Sequence, residues 1–231
     1  MLIRVGPDRT ESIDLTLAAL LSTIAGGLNA VGFVLAGSFT ANMTGNVSGL
    51  AEDVVAGRLL SALSFAGLLA AFICGAWLTA LAIGAGERRG WRGIYALAIV
   101  GEALILLALG LALLRDSSAQ LAMVFVLSFV MGLQNAATTM ISKARVRTTH
   151  VSGMATDLGI SLAALFGAAP ARAEALPRLR LHGLTLACFA LGGIAWLVAY
   201  GLLGTLVFEI TAIMLLAIAL PEVIRARRLR S

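Results

Sequence analysis

The chain has 231 residues, of which 60% are hydrophobic and only 13% charged, and its mean hydropathy is +0.98. A soluble core of this size cannot bury so much apolar surface, so the composition excludes an ordinary soluble domain and predicts a membrane protein in contact with lipid. The formal charge of +5 lies in short basic clusters between hydrophobic runs. Such clusters are typical of membrane orientation, and no nucleic-acid partner is predicted.

Six hydrophobic stretches are long enough to cross the bilayer, because about 20 helical residues span its hydrocarbon core. In chain order they are Leu15–Gly37, Leu59–Gly84, Gly93–Leu114, Ala119–Ser142, Leu184–Tyr200 and Leu203–Leu220. The last two form one apolar run broken near Gly201 and Gly204, which predicts a tight helical hairpin. Because the acidic Glu11 and Asp14 precede the first stretch, it is predicted to be a retained span and not a cleavable signal.

Two stretches between these spans, residues 40–57 and 148–169, are too polar for ordinary spans. If both are re-entrant or half-helical pieces, all 17 basic residues except Arg58 and Arg115 lie on one side of the membrane. The positive-inside rule identifies that side as the cytoplasm. The sequence therefore predicts a multi-pass protein of the bacterial cytoplasmic (inner) membrane, with both termini in the cytoplasm.

The two halves of the chain contain similar motifs at similar spacing. Gly27-Leu28-Asn29 corresponds to Gly132-Leu133-Gln134, Thr44-Gly45 to Ser152-Gly153, and Glu102 to Glu209, with offsets of 105, 108 and 107 residues. An odd number of spans in each copy would place the second copy upside down in the membrane. We therefore predict an all-α integral membrane fold with a single domain, residues 1–231. Its six transmembrane helices form a 3+3 inverted repeat of about residues 15–114 and 119–220, with two half-helical segments and a basic cytoplasmic tail, residues 221–231.

These motifs resemble the YoaK-like family of six-span bacterial membrane proteins, a domain of unknown function. The most specific segments are Ala41-Asn42-Met43-Thr44-Gly45-Asn46, Met131-Gly132-Leu133-Gln134-Asn135-Ala136 and Thr148-Thr149-His150-Val151-Ser152-Gly153. The resemblance extends from about Leu15 to Leu220. It implies the fold and the membrane location, and it implies no particular substrate.

An inverted repeat would bring the two polar segments toward the midplane from opposite faces, as discontinuous helices do in secondary transporters. Helix N-termini at that point favour an anion or a polar neutral molecule. The predicted solute-binding residues are Asn29, Asn42, Thr44, Gly45, Asn46, Gln134, Asn135, Thr149, His150, Ser152 and Gly153. The alternative is structural. Thr44, Asn46 and Ser152 would cap short interfacial helices, and the amides of Asn29, Gln134 and Asn135 would form interhelical hydrogen bonds. Arg145 and Arg147 would add to the anion preference, although the positive-inside rule already explains them.

Glu102 and Glu209 are predicted near the middle of their spans, and Asp157 lies in the second polar segment. All three are candidates for proton coupling, because an intramembrane acid is a functional hypothesis by default. The alternative is that helix contacts hold them neutral. In the second span small residues recur every four positions, at Gly67, Ala71, Gly75 and Thr79. This stripe predicts tight packing against another helix, either within the chain or in a homodimer.

The sequence contains no nucleophile–base pair, metal-ligand cluster or phosphate-binding loop, so no catalytic residue, metal or cofactor is predicted. It favours a transporter-like membrane protein that moves or binds a small polar or anionic solute. An intramembrane enzyme acting on a lipid or hydrophobic substrate is the alternative from a different class. A non-transporting scaffold or accessory subunit is the third interpretation.

Overall fold

The computed structural model describes residues 1–5, 9–115 and 120–229, with only the backbone described for Arg115, Gln120 and Leu121. The predicted start of the fourth span at Ala119 and the end of the basic tail, residues 230–231, lie outside these ranges. Eight helices form this described part: α1 Glu11–Ala36, α2 Met43–Val55, α3 Leu59–Arg88, α4 Ile94–Arg115, α5 Gln120–Ile141, α6 Val151–Ala164, α7 Ala169–Leu203 and α8 Leu206–Arg228.

Six of these helices, α1, α3, α4, α5, α7 and α8, are long and apolar enough to cross a membrane. The predicted fold class, an all-α membrane protein with six spans, is confirmed. The two polar segments form α2, with 13 residues, and α6, with 14. At 1.5 Å per residue each covers only about 20 Å, which is less than the hydrocarbon thickness.

Local sequence explains where several helices begin and end. The Thr10 side chain caps α1 by accepting a hydrogen bond from the backbone N–H of Ile13, and α1 ends at Gly37 in the left-handed conformation. The predicted break between the last two spans occurs at Gly204, where φ is +59°. The fifth span was predicted too short: α7 begins at Ala169, because the basic residues before Leu184 continue the helix beyond the apolar segment.

Charged contacts gather several chain segments at one end of the helix bundle. The Met1 amino group lies 2.7 Å from the Glu222 carboxylate, and Arg145, just after α5, lies 2.9 Å from Asp14 at the start of α1. The start of α1 therefore lies beside the end of α5, so these two helices run antiparallel.

The most extensive contacts between helices are those of α1 with α7 and of α3 with α5, and α4 packs against α8. A Cβ atom on Gly26 would overlap the Phe189 carbonyl oxygen, and one on Gly132 would overlap the Phe72 carbonyl oxygen. These two contacts are equivalent, because 106 residues separate the glycines and 117 separate the phenylalanines. The spacing of 106 is one residue longer than the offset that aligns Gly27 with Gly132.

A second pair of contacts repeats the same relation. A Cβ on Gly192 would overlap the Thr23 carbonyl oxygen, and one on Gly75 would overlap the Phe129 carbonyl oxygen, again with offsets of 117 and 106 residues. The α1–α7 contact and the α3–α5 contact thus use glycines at matching spacings. The small-residue stripe that includes Gly67 and Gly75 packs against α5 of the same chain, so it provides no support for a homodimer.

Candidate functional site

A cavity of about 810 Å³ lies where the N-terminal ends of α2 and α6 meet α1, α3, α5 and α7. Seven of the predicted site residues line it: Asn29, Asn42, Thr44, Asn135, Thr149, His150 and Ser152. The other four predicted residues, Gly45, Asn46, Gln134 and Gly153, are close in sequence to lining residues but are not part of the wall. The structure thus brings together polar residues that lie more than 100 positions apart in the chain.

The cavity wall is built from equivalent positions in the two halves. Asn29 and Asn135 differ by 106 residues, the offset of the glycine contacts between helices. Thr44 and Ser152 differ by 108 residues, and so do several of their neighbours before α2 and α6. Both members of each pair therefore line the same space.

Asn42 caps the first half-helix. Its side-chain oxygen accepts a hydrogen bond of 3.1 Å from the backbone N–H of Gly45. A Cβ on Gly45 would lie 2.7 Å from the Asn42 amide nitrogen, so the glycine makes room for the cap. The residue that caps α2 is thus Asn42, and the Gly45 N–H does not point freely into the cavity.

The second half-helix begins differently. His150 occupies the N-cap position of α6 but makes no capping hydrogen bond through its side chain. Its imidazole lies over Gly153, where a Cβ would overlap the ring. Gly153 therefore accommodates the imidazole, and no described side chain caps the first N–H groups of α6.

One asparagine in each half of the chain holds the residues just before the half-helix. The Asn29 side-chain oxygen accepts a 2.9 Å hydrogen bond from the backbone N–H of Ala41, and the Asn135 amide donates to the Thr149 hydroxyl. Ala41 and Thr149 are equivalent at the offset of 108. The two amides thus bond to the chain between helices and not to another helix, and they also present polar surface to the cavity.

A buried polar network runs from Glu102 to the cavity wall. The Gln134 amide donates to the Glu102 carboxylate at 3.1 Å, and the Gln134 oxygen accepts from the Thr148 hydroxyl at 3.2 Å. Thr148 also lies 3.5 Å from the Asn135 oxygen. Glu102 is fully buried, and its second oxygen has no hydrogen-bond partner within the described residues.

The other two candidate acids lie outside the large cavity. Glu209 is in the first turn of α8, over Gly110, and neither of its carboxylate oxygens has a hydrogen-bond partner among the residues described. Asp157 lies 3.6 Å from the His182 ring. It lines a smaller cavity of about 190 Å³ that shares Arg147 and His150 with the large one.

Sequence reasoning missed the aromatic part of the wall, which is formed by Phe39, Phe72 and Phe189. A phenylalanine inside a span is indistinguishable from a lipid-facing one by hydropathy. A repeated pattern carried the signal: Phe72 precedes Gly75 by three residues, as Phe189 precedes Gly192. Across the described part of the chain, no group of three or more His, Cys, Asp or Glu residues is arranged to hold a metal ion.

Six apolar spans, two half-helices and a cavity lined by both halves of the chain define an integral membrane protein of the multi-pass helical class. The chain belongs to the family described as "Protein of unknown function (DUF1275)", whose model matches residues 17–220. It is 31% identical over 147 residues to the UPF0700 transmembrane protein YoaK of Bacillus subtilis (strain 168), an alignment that covers 62% of this chain and 64% of that relative. The resemblance to the YoaK-like family is thereby confirmed. No solved structure matches the chain.

Proposed function

We propose that this protein is a transporter-like protein of the bacterial inner membrane that binds and moves a small polar or anionic solute. The observation that carries the proposal is the cavity in which the starts of α2 and α6 meet. Irregular, polar backbone at membrane depth is tolerated where it lines a cavity or is buried in protein. Equivalent polar positions from the two halves form this wall, as expected for a solute site at a repeat interface.

The depth of the half-helices supports an inverted repeat. Ala41, just before α2, is bonded to Asn29, which lies seven residues before the end of α1, or about 10 Å along the helix. Thr149, just before α6, is bonded to Asn135, which lies six residues before the end of α5, or about 9 Å. Because α1 and α5 are antiparallel, the half-helices start at similar depths from opposite faces. In this proposal residues 15–114 and 119–220 are the two copies.

The orientation follows from the end of the bundle that carries the basic residues. Arg145, Arg180 and the tail of α8 lie at the same end as the N-terminus, judged by their contacts with Asp14, Glu11 and Met1. The positive-inside rule assigns this end to the cytoplasm. A single cysteine replacing Arg58 is expected to react with an impermeant reagent added to intact cells, whereas one replacing Arg88 is not. Reaction of the second would refute the orientation.

Glu102 is the best candidate for proton coupling among the three acids. Its hydrogen bonds lead through Gln134 and Thr148 to Asn135, which lines the cavity. Protonation of the Glu102 carboxyl would change its hydrogen bond with Gln134. Because Gln134 also bonds Thr148, the position of the chain before α6 would change as well. Uptake by the Glu102→Gln variant is expected to lose its dependence on a proton gradient while the variant still inserts.

Solute uptake into proteoliposomes tests the proposed function. Radiolabelled phosphate, acetate, benzoate and glycerol serve as probes of different charge and size. We expect protein-dependent uptake of at least one of them, and we expect Gly153→Leu, which displaces His150 from its place over the helix, to abolish it. If none of the probes enters faster than into empty liposomes, or if the variant retains full uptake, the proposed function is wrong.

A further inference from the structure

The two ends of the cavity differ in charge at equivalent positions. Before α2 the wall contains Phe39 and Asn42, whereas the positions 108 residues later, before α6, hold Arg147 and His150. All four residues line the cavity. The wall near α6 is therefore basic, and the wall near α2 carries no charged side chain.

Arg147 is an exposed residue that differs from its neighbour Arg145 in having no ion pair with a described carboxylate. Arg145 lies 2.9 Å from a carboxylate oxygen of Asp14, but none of the described carboxylates forms an ion pair with Arg147. No aspartate or glutamate is among the residues that line the large cavity. A guanidinium in such a place favours an anion, and a carboxylate matches its two parallel donors.

The start of α6 adds further donors on the same side. The first N–H groups of that helix lack a side-chain cap, and the helix dipole is positive there. The smaller cavity adjoins this point, since it shares Arg147 and His150, and it lies beside the loop after α5. Its lining also includes Asp157, whose carboxylate lies 3.6 Å from the His182 ring.

The remaining wall suits an apolar body. Phe39 is held in place by stacking on Phe33, with ring centroids 4.3 Å apart. Phe72 of α3 and Phe189 of α7 also line the cavity. A volume of about 810 Å³ is far larger than an inorganic anion and is in the range of sites for organic ligands.

We propose that the cavity binds an organic carboxylate with an apolar body, with the carboxylate at Arg147 and His150 and the body against the aromatic wall. The inference deepens the proposed function, on which it rests, by assigning a ligand class to the same cavity. It also predicts polarity within the site: the anionic group faces Arg147 and His150 at the start of α6, and the apolar group faces Phe39 and Phe72 on the side of α2.

Binding of 2-naphthoate to the purified full-length protein in detergent, measured by calorimetry, tests this inference. The neutral 2-naphthamide controls for partition into detergent, and acetate controls for charge without an apolar body. We expect 2-naphthoate to bind at least tenfold more tightly than either control, as a charge-assisted pair with a guanidinium implies. Equal affinity for the carboxylate and the amide, or no saturable binding of 2-naphthoate, would overturn the inference on the unmodified protein.

Two variants identify the contact. Arg147→Gln is expected to lower the affinity for 2-naphthoate about tenfold or more without changing that for the amide. Arg180→Gln removes a positive charge at the same end of the bundle, outside both cavities, and should leave the affinity unchanged. An unchanged affinity in Arg147→Gln refutes the assignment.

If 2-naphthoate binds but is not taken up by proteoliposomes, transport fails and the ligand class stands. If a neutral solute is taken up while 2-naphthoate does not bind, the ligand class fails and transport stands.

Discussion

The closest helix contacts lead to a quantitative prediction for glycine substitutions. A Cβ on Gly132 would lie 2.8 Å from the carbonyl carbon of Phe72 and 3.1 Å from the backbone nitrogen of Ala76, whereas ordinary contacts are 3.4–4 Å. Because these neighbours are backbone atoms, a rotamer change cannot relieve the overlap, and α3 and α5 must separate by at least about 0.6 Å. Overpacking of this kind costs about 1–3 kcal/mol.

Gly132→Ala is therefore expected to lower the free energy of unfolding by about 1–3 kcal/mol, and the equivalent Gly26→Ala should have a similar effect between α1 and α7. Gly101→Ala is the matched control, because nothing lies within 4 Å of its Cβ position. There the helix propensity of alanine stabilises the protein by up to about 1 kcal/mol. Steric trapping or unfolding in SDS measures these differences. A Gly132→Ala variant as stable as Gly101→Ala would refute the packing described here.

Three further predictions concern single residues. The neighbouring Ser61 side chain and the Arg58 guanidinium hold the pKa of the Asp53 carboxyl below its usual 3.8. The carboxylate therefore stabilises the α2–α3 turn at neutral pH. This contribution is lost as the pH falls below that value, and melting curves of Asp53→Asn should lack that acid-dependent loss. Glu102→Leu leaves the buried Gln134 amide without its acceptor and should cost about 1–3 kcal/mol in unfolding free energy, whereas Glu102→Gln, which retains an oxygen, should cost less. Finally, Gly153→Ala should weaken 2-naphthoate binding without loss of folding, since its Cβ displaces the flexible imidazole at α6 and no backbone atom; unchanged affinity would contradict this geometry.

Hydropathy and charge predicted the number of spans because both properties are local. The same reasoning shortened α7, since a helix that leaves the membrane with Arg178 and Arg180 on it no longer resembles a span. It also placed Glu209 near the middle of a span, but α8 begins only three residues before it. Helix ends depend on packing and turn geometry, which a hydropathy window does not contain.

The sequence predicted which polar residues lie together, but not the contacts that each of them makes. The repeated motifs indicated which segments correspond, and seven of their polar residues line one cavity. The roles of Gly45 and Gly153 could not be inferred, because they depend on where the side chains of Asn42 and His150 lie in space. The small-residue stripe around Gly75 indicated a packing face but not its partner, since periodicity on one helix carries no information about the neighbour that covers it.

The central claim is that the starts of the two half-helices line one cavity that solutes can enter. In a protein with Cys74 and Cys188 replaced by serine, single cysteines at Thr44 and Ser152 can be exposed to an impermeant thiol reagent from each side of sealed proteoliposomes. We predict that both cysteines react, and that 2-naphthoate slows both reactions, since the two positions share one cavity. If neither cysteine reacts from either side, the half-helices do not line a cavity that solutes can enter and the account is wrong. If both react and 2-naphthoate protects neither, the ligand class assigned to the cavity is wrong.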